Sequence, residues 1–200
     1  MNLVFATHNE NKVKEIRALL PDAFKILNLK DINCLEDIPE TAHTIKENAM
    51  LKARYVFEKY GYNCFADDTG LEVEALNGAP GVYSARYAGE EKSADANMDK
   101  LLNELKNHEN RNARFVTFIA LIVDAKEYLF QGVVEGLILK EKIGVKGFGY
   151  DPVFSPNSAS GISFAQMDLV EKNKISHRAI AINKLIQFLQ TYNPATASSI

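Results

Sequence analysis

Apolar positions along the chain follow two rhythms: unbroken or alternating runs that predict strands, and three-to-four spacings that predict helices. Asn2-Leu3-Val4-Phe5-Ala6 is a short apolar run, read as a buried strand. The polar stretch Thr7-His8-Asn9-Glu10-Asn11-Lys12 follows, then Val13, Ile16, Leu19 and Leu20 at helical spacing until Pro21 stops the helix. Lys25 to Asn28 fits a second strand, and the acidic segment Asp31 to Thr41 reads as a loop. Thr44-Ile45-Lys46-Glu47 is a capping box, and the helix it opens runs to about Lys59 with Ile45, Ala49, Ala53, Val56 and Phe57 on its apolar face. Asn48 and Lys52, four apart, share a face. Further on, Asp95 to Lys106 predicts a helix, Ala113 to Val123 a strand, and Asp124-Ala125-Lys126 the turn of a long antiparallel hairpin that returns towards Leu139. Asp168 to Lys174 is charged and helical, and Ser176-His177-Arg178 caps a last helix with Ile182, Leu185, Ile186 and Leu189 inward.

The stretch Phe65-Ala66-Asp67-Asp68-Thr69-Gly70-Leu71 is the centre of the pattern. It begins as a buried strand and is expected to end in two adjacent carboxylates, with Thr69-Gly70 turning the chain. Side chains alternate along a strand, so Asp67 and Asp68 point opposite ways, one facing a cleft while the other braces the scaffold. A carboxylate at a strand end suits Mg²⁺, a hard cation that prefers oxygen ligands. In isolation the same residues also fit a solvated turn. Leu71 to Leu76 alternates apolar and acidic positions and fits either a half-exposed strand or a helical turn.

Two further stretches carry candidate chemistry. The loop Thr7 to Lys12 enters a helix, whose free N–H groups and partial positive charge suit a phosphate. Lys12 opposes that helix dipole, a local conflict of the kind found at functional sites. Gly144-Val145-Lys146-Gly147-Phe148-Gly149-Tyr150-Asp151-Pro152 is dense in glycine, which lets backbone approach a ligand, and Phe148 there is a stacking platform for a nucleobase. A hairpin-type loop with a buried aromatic fits the same residues.

Composition narrows the class. At 200 residues with 46% hydrophobic and 24% charged content, the chain is a globular domain, single or two-lobed. A domain over 1–193 is expected, with a flexible C-terminal tail over 194–200. The net charge of −3 argues against nucleic acid as a partner. Cys34 and Cys64 form no CxxC pair, so neither a zinc site nor a disulfide framework is indicated, and free thiols fit a reducing compartment. No signal peptide and no membrane span is read, so no membrane partner is expected and the cytoplasm is the expected location.

Taken together, the motifs resemble the inosine triphosphate pyrophosphatase family, which hydrolyses ITP, dITP and XTP. The matching segments are Ala6-Thr7-x-Asn9-x-x-Lys12-x-x-Glu15, Glu47-Asn48-Ala49-x-x-Lys52-Ala53, Ala66-Asp67-Asp68-Thr69-Gly70-Leu71, Gly78-Ala79-Pro80-Gly81-Val82-Tyr83-Ser84-Ala85-Arg86, Gly147-Phe148-Gly149-Tyr150-Asp151-Pro152 and Ser176-His177-Arg178, in the family's order. Two positions depart: His8 and Ala42 stand where glycine is usual. His8 either loosens the first phosphate loop or adds a donor to it.

The resemblance implies an α/β fold, a mixed sheet with flanking helices and two lobes around a nucleotide cleft, in a homodimer. It implies Mg²⁺ held by Glu40 and Asp68, with Asp68 also the general base. Thr7, His8, Asn9, Glu10, Asn11, Lys12, Lys52, Thr69 and Lys172 are the implied substrate-binding residues around the phosphates. Phe148, Gly149, Tyr150, Asp151, His177 and Arg178 are those around the base, with Phe148 stacking and His177 and Arg178 donating to the 6-oxygen. The implied reaction is water attack at the α-phosphorus, giving a nucleoside monophosphate and pyrophosphate. A nucleotide sensor without hydrolysis and a metal-dependent nuclease are the alternatives. The set Glu40, Asp68 and Lys52 favours the enzyme, and the acidic balance disfavours the nuclease.

Overall fold

The computed structural model describes residues 2–21 and 24–192; the tail expected over 194–200 lies outside the described residues. Strands β1 (Asn2–Phe5), β2 (Lys25–Leu27), β3 (Cys64–Val73), β4 (Pro80–Gly81), β5 (Asn112–Val123), β6 (Lys126–Ile138) and β7 (Phe154–Pro156) form one mixed sheet. Helices α1 (Glu10–Arg17), α2 (Ile45–Tyr60), α3 (Ala94–Glu104), α4 (Leu169–Ile175) and α5 (His177–Thr191) complete the α/β fold. The strand order is β2-β1-β3-β5-β6-β7, with β4 added to β3. β1 runs parallel to β2 and β3, whereas β4 and β7 pair antiparallel with β3 and β6.

The chain gathers into two compact units, Met1–Asp68 with Thr117–Gly132 and Arg178–Ile200, and Thr69–Val116 with Val133–His177. In the first unit, strand alternation builds two cores. Leu3, Phe5, Phe65, Ile119, Leu121 and Val123 pack against Val13 and Ile16 of α1 and Ile182, Leu185 and Leu189 of α5. Residues of the opposite parity, Val4, Ala6, Cys64, Ala66, Ala120 and Ile122, pack against Ala49, Ala53 and Val56 of α2. Phe5 and Phe65 stack at 4.7 Å. Each helix presents the stripe that its 3.6-residue period predicts.

In the second unit an aromatic cluster of Phe115, Phe154 and Phe164 forms the core. Gly136 must lack a side chain, because a Cβ there would lie 2.3 Å from the Ser155 carbonyl oxygen. Ser84 organises the neighbouring turns: its hydroxyl accepts from Leu71 N–H and donates to the Gly81 carbonyl, and its own carbonyl accepts from Tyr150 OH at 2.9 Å.

Two expectations need correction. Thr69-Gly70 does not turn the chain. β3 continues to Val73, and Leu71 and Glu72 pair with Gly81 and Pro80 of β4, so the two carboxylates lie mid-strand. Strand pairing and burial override the turn preference of Thr-Gly. Leu71 to Leu76 then takes both of its readings, strand to Val73 and a 3-10 turn over Glu74–Leu76. Finally, α1 stops at Arg17, short of Leu19 and Leu20, which follow in a turn bonded back to the Ile16 carbonyl.

Candidate active site

Adjacent acids on a strand meet different helices. Asp67 shares the parity of Phe65, the face covered by α1 and α5, and Asp68 shares that of Ala66, the face covered by α2. Lys12, in the first turn of α1, donates from Nζ to Asp67 Oδ1 at 3.0 Å. Arg178, in the first turn of α5, donates from Nε to Asp67 Oδ2 at 3.1 Å and from Nη1 to Glu15 Oε2. On the other face, Lys52 of α2 donates from Nζ to Glu40 Oε1 and, at 3.4 Å, to Asp68 Oδ1. Lys52 is 7% exposed, far from the solvated position usual for a helical lysine.

Burial and charge set the protonation of these groups. Burial pushes Asp67 up, but the pull of Lys12, Arg178 and Lys52 outweighs it and holds Asp67 well below the ordinary carboxylate range. Asp68 goes the other way: burial dominates Lys52 and Lys12 and raises it. Lys12 is lowered by burial, which Asp67 only partly offsets. Lys52 is lowered by burial but raised on balance by Asp68, Glu40 and Asp67. Burial would raise Glu40, yet Lys52 brings it below its ordinary value. The arrangement thus holds a firmly ionised Asp67 beside a more basic Asp68.

The loop between β1 and α1 is held by its own side chains. Asn9 caps α1, its Oδ1 accepting from the N–H groups of Asn11 and Lys12, and Thr7 Oγ1 accepts from Asn9 N–H at 3.1 Å. His8 is exposed, and its Nε2 lies 3.0 Å from the Glu36 carbonyl oxygen, where it must donate. Glu10 is exposed, 4.0 Å from Lys30.

In the second unit, Asp151 Oδ2 accepts from Phe148 N–H at 2.9 Å and from Lys172 Nζ at 2.6 Å. The Lys172 ammonium lies 5.0 Å from the Phe148 ring centroid. Gly147 has φ +73°, and a Cβ there would come within 2.0 Å of Asp151 Oδ2. That glycine therefore serves the loop's own carboxylate rather than an approaching ligand. Tyr150 is buried against Ser84, while Gly149 and Phe148 are half-buried and Thr69 half-buried on β3. His177 is buried and stacks on Phe115 at 4.5 Å.

The structure thus brings Lys12, Glu40, Lys52, Asp68 and Arg178 onto β3 in the first unit, and Phe148, Asp151 and Lys172 together in the second. Arg178 departs from expectation. It is 2% exposed and bonded to two carboxylates of its own unit, because two buried acids require a cation between them.

Among the described residues, no group of three or more His, Cys, Asp or Glu side chains is arranged to hold a metal ion. Glu40 and Asp68 instead meet around one cation, the Lys52 ammonium. Two hard oxygen donors of this kind fit Mg²⁺, which takes one or two carboxylates and completes its shell with phosphate oxygens and water.

A sequence model described as the Ham1 family matches residues 3–188. This chain belongs to the Ham1 family. The dITP/XTP pyrophosphatase of Christiangramia forsetii is 60% identical over 189 residues, which cover 94% of this chain and 99% of that protein. The solved structure of the Staphylococcus aureus Ham1 protein superimposes with a TM-score of 0.86 at 41% identity, covering 95% of this chain and 98% of its own. A Ham1 protein from Coxiella burnetii gives 0.88 at 37% identity, covering 96% and 100%.

Two residues of this Ham1 chain enter the site without having been given a role from sequence. Glu15 is 4% exposed and anchors Arg178. Its signal was present, since it follows Lys12 by three positions and so shares a face of α1 with it. Glu36 leaves no such trace. Its Oε1 accepts from Tyr55 OH at 2.8 Å, Tyr60 OH at 2.7 Å and Lys59 Nζ at 2.5 Å, and it lies in a loop with no periodicity.

Proposed function

We propose that this protein hydrolyses non-standard purine nucleoside triphosphates (ITP, dITP and XTP) to the nucleoside monophosphate and pyrophosphate. The observation that carries the reading is the division of labour on β3: an ionised Asp67 held between Lys12 and Arg178, and a more basic Asp68 beside Lys52 and Glu40. The names of the Ham1 relatives support the substrate class.

The chemistry follows from these groups. Thr7, Asn9 and the first turn of α1 lie on the phosphate side, and Lys12 and Lys52 supply charge-assisted donors. Glu40 and Asp68 would hold Mg²⁺, which when bound would supply Lewis acidity and positive charge. Asp68 takes the proton of the attacking water, a task for which burial has raised its basicity. Oxygen bonds to the α-phosphorus, the bond from that phosphorus to the bridging oxygen breaks in line, and pyrophosphate leaves. Phe148 stacks on the base, with Asp151 and Lys172 fixing its loop and His177 donating to the 6-oxygen. Arg178, expected from sequence to read the 6-oxygen, is assigned to bracing Asp67.

A homodimer in the cytoplasm completes the reading; family resemblance supports it, and sedimentation of the purified protein checks the dimer. No helix among the described residues is long and apolar enough to cross a membrane. The decisive assay is product analysis on a panel of nucleoside triphosphates with Mg²⁺. Pyrophosphate released from ITP, dITP and XTP well ahead of ATP, GTP and CTP is expected. Orthophosphate as the product, or equal rates across the panel, overturns the proposal.

A further inference from the structure

Glu40 sits in a loop without regular structure, so something must hold its carboxylate in place. Much of that support comes from α2. Asn48 Oδ1 accepts from Ala42 N–H at 3.0 Å, and Lys52 binds Glu40 itself. Near the other end of the helix, Tyr55, Lys59 and Tyr60 converge on the Glu36 carboxylate, the Lys59 ammonium lying 5.2 Å and 5.6 Å from the two tyrosine ring centroids. Ile38, between the two acids, packs on the α2 face of the sheet. A further tie runs elsewhere: His8 Nε2 donates at 3.0 Å to the Glu36 carbonyl, 28 positions away, which also accepts from Cys34 Sγ at 4.0 Å, and so joins the β1–α1 loop to the loop of Glu40. Glycine, usual at position 8 in the family that the motifs resemble, has no side chain to make this bond.

We infer that His8 is a positioning residue of this chain, fastening the Glu40 loop to the phosphate loop so that the Glu40 carboxylate is held ready for its metal. The inference rests on the proposed function in taking Glu40 as a ligand. His8 touches no reacting atom; it acts through the five-residue span from Glu36 to Glu40, which Pro39 stiffens. With the tie cut, the loop keeps its hold on α2 but loses its link to the residues that cap α1. The Glu40 carboxylate then samples more positions, and ordering it falls on the metal.

Two measurements on the full-length protein without nucleotide test this: Mn²⁺ affinity from the free-ion paramagnetic signal, and backbone hydrogen exchange across residues 35–41. Loss of one hydrogen bond corresponds to roughly a two- to tenfold change in an equilibrium. His8→Ala is therefore expected to weaken Mn²⁺ binding and speed exchange in 35–41 by about that factor, with the amides of α2 unchanged. His8→Gln, which places a donor near the Nε2 position, is expected to restore both. Unchanged Mn²⁺ affinity and exchange in His8→Ala, or no recovery in His8→Gln, overturns the inference. Failure of the nucleotide panel with these His8 effects intact would sink the reaction and leave the tie standing.

Discussion

Replacing Arg178 by Met removes the cation between two buried acids. Asp67 is fully buried, Glu15 is 4% exposed, and both accept from the guanidinium. In the intact cluster two carboxylates, Glu15 and Asp67, face two cations, Arg178 and Lys12. In the variant Lys12 still serves Asp67, and Glu15 loses the partner that its burial demands. Breaking a buried pair by removing one partner costs about 3–5 kcal/mol. For a chain of this size each kcal/mol moves Tm by about 2–4 °C, so a fall of about 6–20 °C follows. Urea unfolding in chelator, followed by both fluorescence and circular dichroism, reads the loss directly. Arg178→Lys should fall between, because a point charge cannot span two carboxylates as the planar fork does. Glu15→Gln in the Arg178→Met background should recover part of the loss, and the double-mutant cycle gives the coupling. A stability within about 1 kcal/mol of wild type in Arg178→Met would refute the brace. Activity separates the roles further. A residue acting through Asp67 lowers kcat/KM for ITP and GTP by a common factor, whereas a base reader changes their ratio.

Asp68→Asn should abolish pyrophosphate release while raising the stability of the metal-free protein in urea, because burial already disfavours the ionised form; near-wild-type turnover in the folded variant contradicts the assignment. Phe148→Ala should lower kcat/KM for ITP, XTP and GTP alike by roughly 5- to 150-fold, since stacking is worth about 1–3 kcal/mol for any base, and a loss confined to one base refutes stacking. Stability against pH should show both signs. Asp67, held below its unfolded value, contributes stability that is present above about pH 4 and lost as pH falls below it, whereas Asp68, raised above its unfolded value, adds stability as acidification protonates it. A chelated urea series across pH should therefore rise slightly on acidification before it collapses, and Asp68→Asn should remove the rise.

Local rules carried much of this molecule. The Thr44 hydroxyl caps α2 as its signature predicts, accepting from Glu47 N–H, and it donates to the Glu47 carboxylate, a side-chain bond in place of the backbone bond of a full capping box. Asp124 and Ala125, both at positive φ, make the hairpin turn between β5 and β6. Alternation along β3 is enough to send Asp67 and Asp68 to opposite faces. Each of these depends on residues a few positions apart, so the sequence alone determines it. The tertiary structure decided the rest. Thr69-Gly70 stays in the strand because β4 pairs with the residues that follow it. Lys52 is buried because Glu40 and Asp68, 12 and 16 positions away, converge on it. Arg178 braces acids 111 and 163 positions distant. Local pattern shows that a charge lies on an inward face, but its partner is chosen by which strands and helices pack together, and burial then makes that partner obligatory.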